Sequence, residues 1–284
     1  VIDDKHWFTE VTDYAGLAFS LRIKQKLHEE QSEFQKVEVF ETEHFGRLMV
    51  IDDCIMLTSR DNFIYHEMMS HPALFAHPAP KRVLIIGGGD CGTLREVLKH
   101  PEVEVAQQVD IDERVTRVSE QFFPELCDSN HDPRAELAFT DGIEWVRKAK
   151  AGSYDIIIVD STDPVGPGEV LFTTEFFQHC HRALSENGIF VQQSESPLIH
   201  HESIIQPMSK RLHEAGFAKS QTLHFPQCTY PAGWWSCTLA TVAADLGHNR
   251  LQTTVPDFDT RYYTAGIHQG AAQLPRFMLP GQGE

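Results

Sequence analysis

Residues 82–100 read RVLIIGGGDCGTLREVLKH: a run apolar from Val83 to Ile86 empties into three consecutive glycines and then into a helical pattern. A strand with no polar alternation must be covered on both faces, which a parallel sheet flanked by helices provides. Glycines at its mouth permit positive φ and let backbone approach a ligand closely. Gly87, Gly89 and Gly92 fit the three glycines of G-x-G-x-x-G, and Asp110 closes the next strand, VEVAQQVD (103–110), where an acid binds a ribose hydroxyl pair. A nucleoside site follows from that register. Asp90 sits inside the loop itself, opposing the pyrophosphate that a dinucleotide would place at the helix start and welcoming a cation. A sulfonium nucleoside suits it better.

The same rhythm continues. Helical DERVTRVSEQFF (112–123) precedes strand AELAFTD (135–141), then helix GIEWVRKA (142–149), strand YDIIIVD (154–160), helix TEFFQHCHRAL (174–184) and strand GIFVQQSE (188–195). Strand alternating with helix predicts an α/β fold with a doubly wound, mostly parallel sheet. A helix over SIIQPMSKRLHEAG and strands around LHFPQ and WWSCTLATV close it. Before residue 60 the pattern differs: GLAFSLRIK, FQKVEVFET and FGRLMVIDDCIMLT read as short strands with turns at Gly46 and Asp52-Asp53. We expect a small antiparallel β domain over residues 1–60, a helix over 61–75, and a catalytic domain over 61–284.

Composition excludes several classes. No apolar run approaches the 18 residues of a membrane helix, and the charged start VIDDKHWFTE lacks the apolar core of a signal peptide. Six widely spaced cysteines form no pairing framework or zinc spacing, as in a reducing cytoplasm. With 24 basic and 41 acidic residues the formal charge is −17, which repels nucleic acid and favours cationic small molecules.

The segment YDIIIVDSTDPVGPGE (154–169) carries a buried strand into Asp160 and Asp163, and Pro164 and Pro167 stiffen the chain beyond them. Asp141 ends another strand, so Asp90, Asp110, Asp141 and Asp160 converge on one sheet edge, where open α/β sheets bind ligands. Plainer readings exist: a turn-forming Asp-Gly at 141–142, a helix cap at 160–163, and core packing for Tyr65, His66, Tyr230, Trp234 and Trp235. A sulfonium makes its attached carbon electrophilic, so the protein needs an aligned nucleophile and a base. An amine nucleophile arrives as a cation, which an aspartate can hold and then deprotonate. Glu67 and Glu195, with the aromatics, suit an aliphatic polyamine with charged ends and an apolar middle.

These stretches resemble the spermidine synthase family, the polyamine aminopropyltransferases. The resemblance rests on FQKVEVFETEHFGRLMVIDD (34–53), RDNFIYHEMMSHPAL (60–74), VLIIGGGDCGTLREVLKH (83–100), VDIDE (109–113), DSTDPVGPGEVLF (160–172), QSES (193–196), TYPAGWW (229–235) and RYYTAGIH (261–268). It implies a methyltransferase-like Rossmann domain behind a small β domain, assembled as a homodimer or homotetramer. The implied reaction moves the aminopropyl group of decarboxylated S-adenosylmethionine, a co-substrate rather than a tightly bound cofactor, to putrescine. Spermidine and 5′-methylthioadenosine result, with no metal. By the same resemblance Asp160 is the base, assisted by Tyr65; Asp163, Glu195 and Tyr230 contact putrescine together with Tyr65 and Asp160. Gln35, His66, Gly87, Gly89 and Asp90 line the donor site, Asp90 holding the aminopropyl ammonium. Asp110 takes the ribose, and Asp141 with Gly142 the adenine edge.

Departures from the family pattern fall at Cys91 and Asp53, where glycine is common, at Asp110 for glutamate, and at Met56 and Ser59 for Gln and Glu. If position 91 needs positive φ, cysteine costs about 1 kcal/mol there. Other acceptors, such as cadaverine or agmatine, stay open. So do a methyltransferase using intact S-adenosylmethionine, which would need room for a carboxylate beside Asp90, and a non-catalytic polyamine-binding protein.

Overall fold

The computed structural model describes residues 2–162, 166–246, 250–252 and 256–279. Strands β1 (Trp7–Thr12), β2 (Leu17–Gln31), β3 (Lys36–Thr42), β4 (Arg47–Ile51) and β5 (Cys54–Thr58) form an antiparallel sheet in chain order. β1 was not among the expected strands. WFTEVT carries little alternation of its own, and its pairing comes from β2, in register Trp7↔Arg22 to Thr12↔Leu17. β2 outruns the expected GLAFSLRIK because its first half pairs with β1 and its second with β3, as far as Gln31↔Lys36. Between β4 and β5, Asp52 and Asp53 both take positive φ (47° and 66°), the left-handed turn that aspartate tolerates better than most residues. Asp52 Oδ1 also accepts from the Lys36 amide at 2.9 Å.

The second sheet has seven strands. They are β6 (Arg82–Gly87), β7 (Val105–Asp110), β8 (Ala135–Phe139), β9 (Tyr154–Asp160), β10 (Leu184–Gln193), β11 (Lys219–Pro226) and β12 (Trp234–Thr241), in the order β11-β12-β10-β9-β6-β7-β8. β8, β7, β6, β9 and β10 pair in parallel, and β12 and β11 close the sheet antiparallel. This is the doubly wound, methyltransferase-like Rossmann architecture. The period-two geometry of β6 sorts its residues: Val83 and Ile85 face one core with Met68 and Leu94, while Leu84 and Ile86 face the other with Phe176 and Phe177. On the first side lie α1 (Asn62–Ala76) and α2 (Gly92–Leu98); α3 (Glu113–Phe122) follows β7; α4 (Gly142–Lys148) and α5 (Thr174–Ala183) pack on the second side. All seven residues of β9 are buried, as its unbroken apolar run requires.

Two boundaries differ from expectation. The expected helix over 203–216 starts as a wide π turn over His201–Ile205 and runs on as α7 (Gln206–Glu214), preceded by a short helix that was not expected, α6 (Pro197–His200), and Pro207 sits in the first turn of α7. β10 ends at Gln193, so Glu195 lies beyond the strand with φ of 66°. A last helix, α8 (Ala265–Ala271), packs near β11.

The strand order reverses at β6, which has β7 on one side and β9 on the other, and this opens a crevice at their carboxyl ends. There the Gly88 amide donates to the Asp160 carbonyl at 2.7 Å, and Gly87 has φ of 83°. A Cβ on Gly87 would lie 2.1 Å from that carbonyl oxygen, which belongs to a strand and cannot yield. Gly87→Ala should therefore cost more than about 2 kcal/mol. Gly152→Ala, at φ of 70° with no atom within 4 Å of the added carbon, should cost about 1 kcal/mol. Urea unfolding of both variants checks the contrast; equal losses would show that the close approach to Asp160 carries no weight.

Candidate active site

The end of β9 delivers Asp160 into the crevice, where it is 9% exposed. Its Oδ1 accepts from the Tyr65 hydroxyl at 2.7 Å and its Oδ2 from the Thr93 hydroxyl at 2.6 Å. Tyr65 comes from the first turns of α1 and Thr93 from the first turn of α2, so three separate elements meet on one carboxylate. Burial raises the Asp160 pKa, the charge of Asp90 raises it further, and His66, Thr93 and Tyr65 only partly offset this. Burial, followed by the charge of Asp160, also holds Tyr65 well above the usual phenol value, so it stays a hydrogen-bond donor. A desolvated carboxylate with raised proton affinity is suited to taking a proton.

Beside it lies a second acid. Asp90 accepts from the Gly92 amide at 2.6 Å and pairs with His66 Nε2 at 3.1 and 3.3 Å. Burial disfavours charge on both partners, yet their mutual attraction leaves His66 raised and Asp90 lowered, an ion pair in the crevice. The His66 ring rests on Gly92, where a Cβ would come within 2.1 Å of it. Cys91 has φ of 69° and is wholly buried, its Sγ reaching the Gly89 carbonyl and the Gln108 amide at 3.6 Å each. The departure at this position thus carries the backbone cost expected of it, and the thiol is packed rather than presented.

Gly89 keeps the next acid close: a Cβ there would sit 2.9 Å from Asp110 Oδ2. Asp110 ends β7, and burial, with the charges of Asp112, Asp160 and Asp90, pushes it up to about 6 despite the Asp112 amide. Gln35 reaches across from the N-terminal sheet, but its amide nitrogen donates to Asp112 Oδ2 at 3.0 Å, beside the Ser32 hydroxyl at 2.6 Å. Asp112 in turn caps α3 through the Arg114 amide. Asp141 takes the plainer role as well as its place at the edge: its Oδ1 caps α4 by accepting from the Ile143 and Glu144 amides at 2.8 and 3.2 Å. Gly142 packs directly on Ile86.

On the other side of Asp160 a small pocket of about 40 Å³ is walled by Tyr65, Tyr230 and Trp235, with Ser161, Gln193 and Glu10 at its rim. Tyr230 stacks edgewise on Tyr65 and Trp235 (5.7 and 4.8 Å between centroids) and anchors its hydroxyl on the Met56 carbonyl at 2.6 Å. Glu195 does not line this pocket. It is 2% exposed, its Oε1 accepting from Gln193 Nε2 at 3.0 Å. Asp163 lies outside the described residues. Thr93, Gln193, Glu10 and Asp112 were missed from sequence: only Thr93, directly after the glycine loop, had a local signal. Among the described residues no group of three His, Cys, Asp or Glu is arranged to hold a metal ion, and no helix is long and apolar enough to cross a membrane.

The raised Asp110 has a consequence for stability. The folded state holds its proton up to about pH 6, the unfolded chain only to about 4, so folding stability falls as pH rises between these values. Asp110→Asn removes this loss. The variant should gain about 1–2 kcal/mol on wild type between pH 4.5 and 7, measured by urea unfolding at both pH values. A gain that does not change with pH would mean that Asp110 titrates normally.

Two family models account for most of the chain: the spermine/spermidine synthase domain over residues 62–248 and the spermidine synthase tetramerisation domain over residues 6–59. The chain is 61% identical over 275 residues to the polyamine aminopropyltransferase of Thioalkalivibrio sulfidiphilus, covering 96% of both proteins. To that of Methylococcus capsulatus it is 59% identical, covering 97% of this chain and 96% of the relative. Among solved structures it superimposes on a spermidine synthase in complex with the transition-state analogue AdoDATO, with a TM-score of 0.90 at 34% identity over 97% of this chain and 94% of the other. The spermidine synthase of Thermotoga maritima gives 0.88, also at 34% identity, over 95% and 92%. With family models over residues 6–59 and 62–248 and a relative 61% identical over 96% of the chain, the chain belongs to the spermine/spermidine synthase family of polyamine aminopropyltransferases.

Proposed function

We propose that this chain transfers the aminopropyl group of decarboxylated S-adenosylmethionine to putrescine, giving spermidine and 5′-methylthioadenosine. One arrangement carries the reading: a buried carboxylate, Asp160, held through both oxygens by Tyr65 and Thr93 between the glycine loop and the small aromatic pocket. The donor occupies the crevice at the carboxyl ends of β6 and β7, with its ribose on Asp110 and its adenine edge on Asp141 and the Gly142 amide. Gly87 and Gly89 admit it closely, His66 and Gln35 border it, and Gln35 acts by holding Asp112. Asp90 receives the aminopropyl ammonium. Putrescine lies in the pocket lined by Tyr65, Tyr230 and Trp235, with its reacting amine on Asp160 and its far end toward Glu10, Gln193 and Glu195; Asp163 is a further contact.

The amine arrives protonated, with a pKa near that of lysine, about 10. Asp160 takes that proton, and its raised pKa narrows the gap that the transfer must cross. The freed lone pair attacks the carbon bound to sulfur from the side opposite the C–S bond. A C–N bond forms, the C–S pair returns to sulfur, and the product leaves as a neutral thioether, so the leaving group needs no acid. Positive charge moves from sulfur to nitrogen, and the acids around the crevice stay compensated throughout.

We assign residues 1–60 to a small domain supporting assembly as a homodimer or homotetramer, and 61–284 to catalysis. Six cysteines spread along the chain without a pairing framework support a reducing, cytoplasmic setting.

Asp160→Asn should keep donor affinity but lower kcat about 10²- to 10⁴-fold, read as methylthioadenosine release with putrescine. A rate within threefold of wild type would remove Asp160 from the role of base. Calorimetry should show decarboxylated S-adenosylmethionine binding far better than S-adenosylmethionine, whose carboxylate meets Asp90. Asp90→Asn should narrow that gap, and equal wild-type affinities would contradict the placement.

A further inference from the structure

Glu67 directly follows Tyr65 and His66 in α1, and in the sequence its charge suits an amine. In the fold it is 1% exposed and both of its oxygens are taken by backbone. Oε1 accepts from the Arg261 amide at 2.8 Å, and Oε2 from the Tyr262 and Tyr263 amides at 2.9 and 2.8 Å. Three consecutive amides thus converge on one buried carboxylate, the concave arrangement of backbone donors that holds an anion.

Those amides open RYYTAGIH (261–268), a stretch to which the reaction above gives no task. The turn that presents them is itself fixed. The Thr260 hydroxyl closes it by donating to the Tyr263 carbonyl at 2.6 Å, and Thr264 caps α8 by accepting from the Ile267 amide at 3.1 Å. Two ring contacts add to the docking: the Arg261 guanidinium lies 3.8 Å from the centre of the Phe63 ring, and Tyr263 stacks on Phe75 with centroids 5.9 Å apart and planes 7° apart. α1 has no side-chain bond at its N-cap, Asp61, so its first turns are located by tertiary contacts such as these. At 3.6 residues per turn Tyr65 projects about 160° round the helix from Glu67, so a grip on Glu67 from one side sets where the Tyr65 hydroxyl arrives on the other.

Resting on the aminopropyl transfer proposed above, we infer that Glu67 is a positioning residue: docked in the 261–263 turn, it fixes the rotation of α1 and thereby aims the Tyr65 hydroxyl at Asp160 Oδ1. Thr93 reaches Oδ2 from α2 and does not depend on that grip. A released α1 rolls and carries Tyr65 off the base, while Asp110 and Asp141, on other elements, keep their places for the donor.

The test is a double-mutant cycle on kcat and KM, read as methylthioadenosine release with putrescine, over wild type, Glu67→Gln, Tyr65→Phe and the double variant, each checked for folding by circular dichroism. Glu67→Gln turns an amide donor toward backbone donors and should lower kcat about tenfold, the effect of a small misplacement, with KM for decarboxylated S-adenosylmethionine within about threefold of wild type. Tyr65→Phe should lower kcat at least as far. In that background Glu67→Gln should change kcat less than about twofold, because the hydroxyl it positions is already gone. A merely structural role would instead lower kcat by the same factor in both backgrounds. Equal factors overturn the inference, as does a folded Glu67→Gln with kcat within twofold of wild type. Should Glu67→Gln fail to fold, Glu67→Asp, which keeps the charge one methylene short of the three amides, goes through the same cycle. A wild type that releases no methylthioadenosine with putrescine overturns the transfer reaction itself, whereas normal wild-type turnover with an additive cycle removes only the positioning role.

Discussion

The site depends on one close approach, that of the Gly87-Gly88 backbone to the end of β9. The Gly88 amide on the Asp160 carbonyl at 2.7 Å ties the glycine loop to the strand carrying Asp160. Because β6 lies between β7 and β9, the same contact sits where the crevice opens. The loop's position, the direction of α2 and the place of Thr93 on Asp160 all follow from it. A side chain on Gly87 would part the two strands, and the donor and acceptor halves of the site with them.

Charge organises the groups that this contact assembles. Asp90, Asp110, Asp141 and Asp160 stand at the carboxyl ends of neighbouring strands, with His66 as the cation in direct contact with one of them. The remaining acids are compensated in different ways. Asp141 is satisfied by helix amides, Asp110 is raised to about 6, and Asp160 keeps a raised proton affinity behind two hydroxyl donors. A cationic donor and a cationic acceptor neutralise such an edge where a pyrophosphate or a carboxylate would worsen it. The excess of 41 acidic over 24 basic residues extends the same preference to the whole surface.

Much of this was legible in the chain itself. Continuous apolar runs, period-two alternation and glycines at strand ends are local signals, so the parallel sheet and the acids at strand termini could be read off directly. Cys91 shows the limit of that reading. Its backbone cost was foreseeable, but that its thiol packs between Gly89 and Gln108 was not. β1 escaped because an edge strand borrows its order from its partner. Glu10 escaped with it, being about 150 residues from Asp160 in sequence and brought near only by the docking of the first sheet on the second. Glu195 was found, but its place behind Gln193 and against His200 depends on where β10 stops.

Local pattern in the chain was enough for the two-sheet plan, the glycine loop and the acidic character of the edge, because each of these rests on contacts within a few residues or on a repeating period. Packing between elements set which oxygens of Asp160 are held by Tyr65 and Thr93, that Gln35 donates to Asp112, and that Tyr14 meets His200. Those facts depend on distances between side chains of separate elements. Such distances are set by how two sheets and their helices pack, and no local pattern in the chain records them.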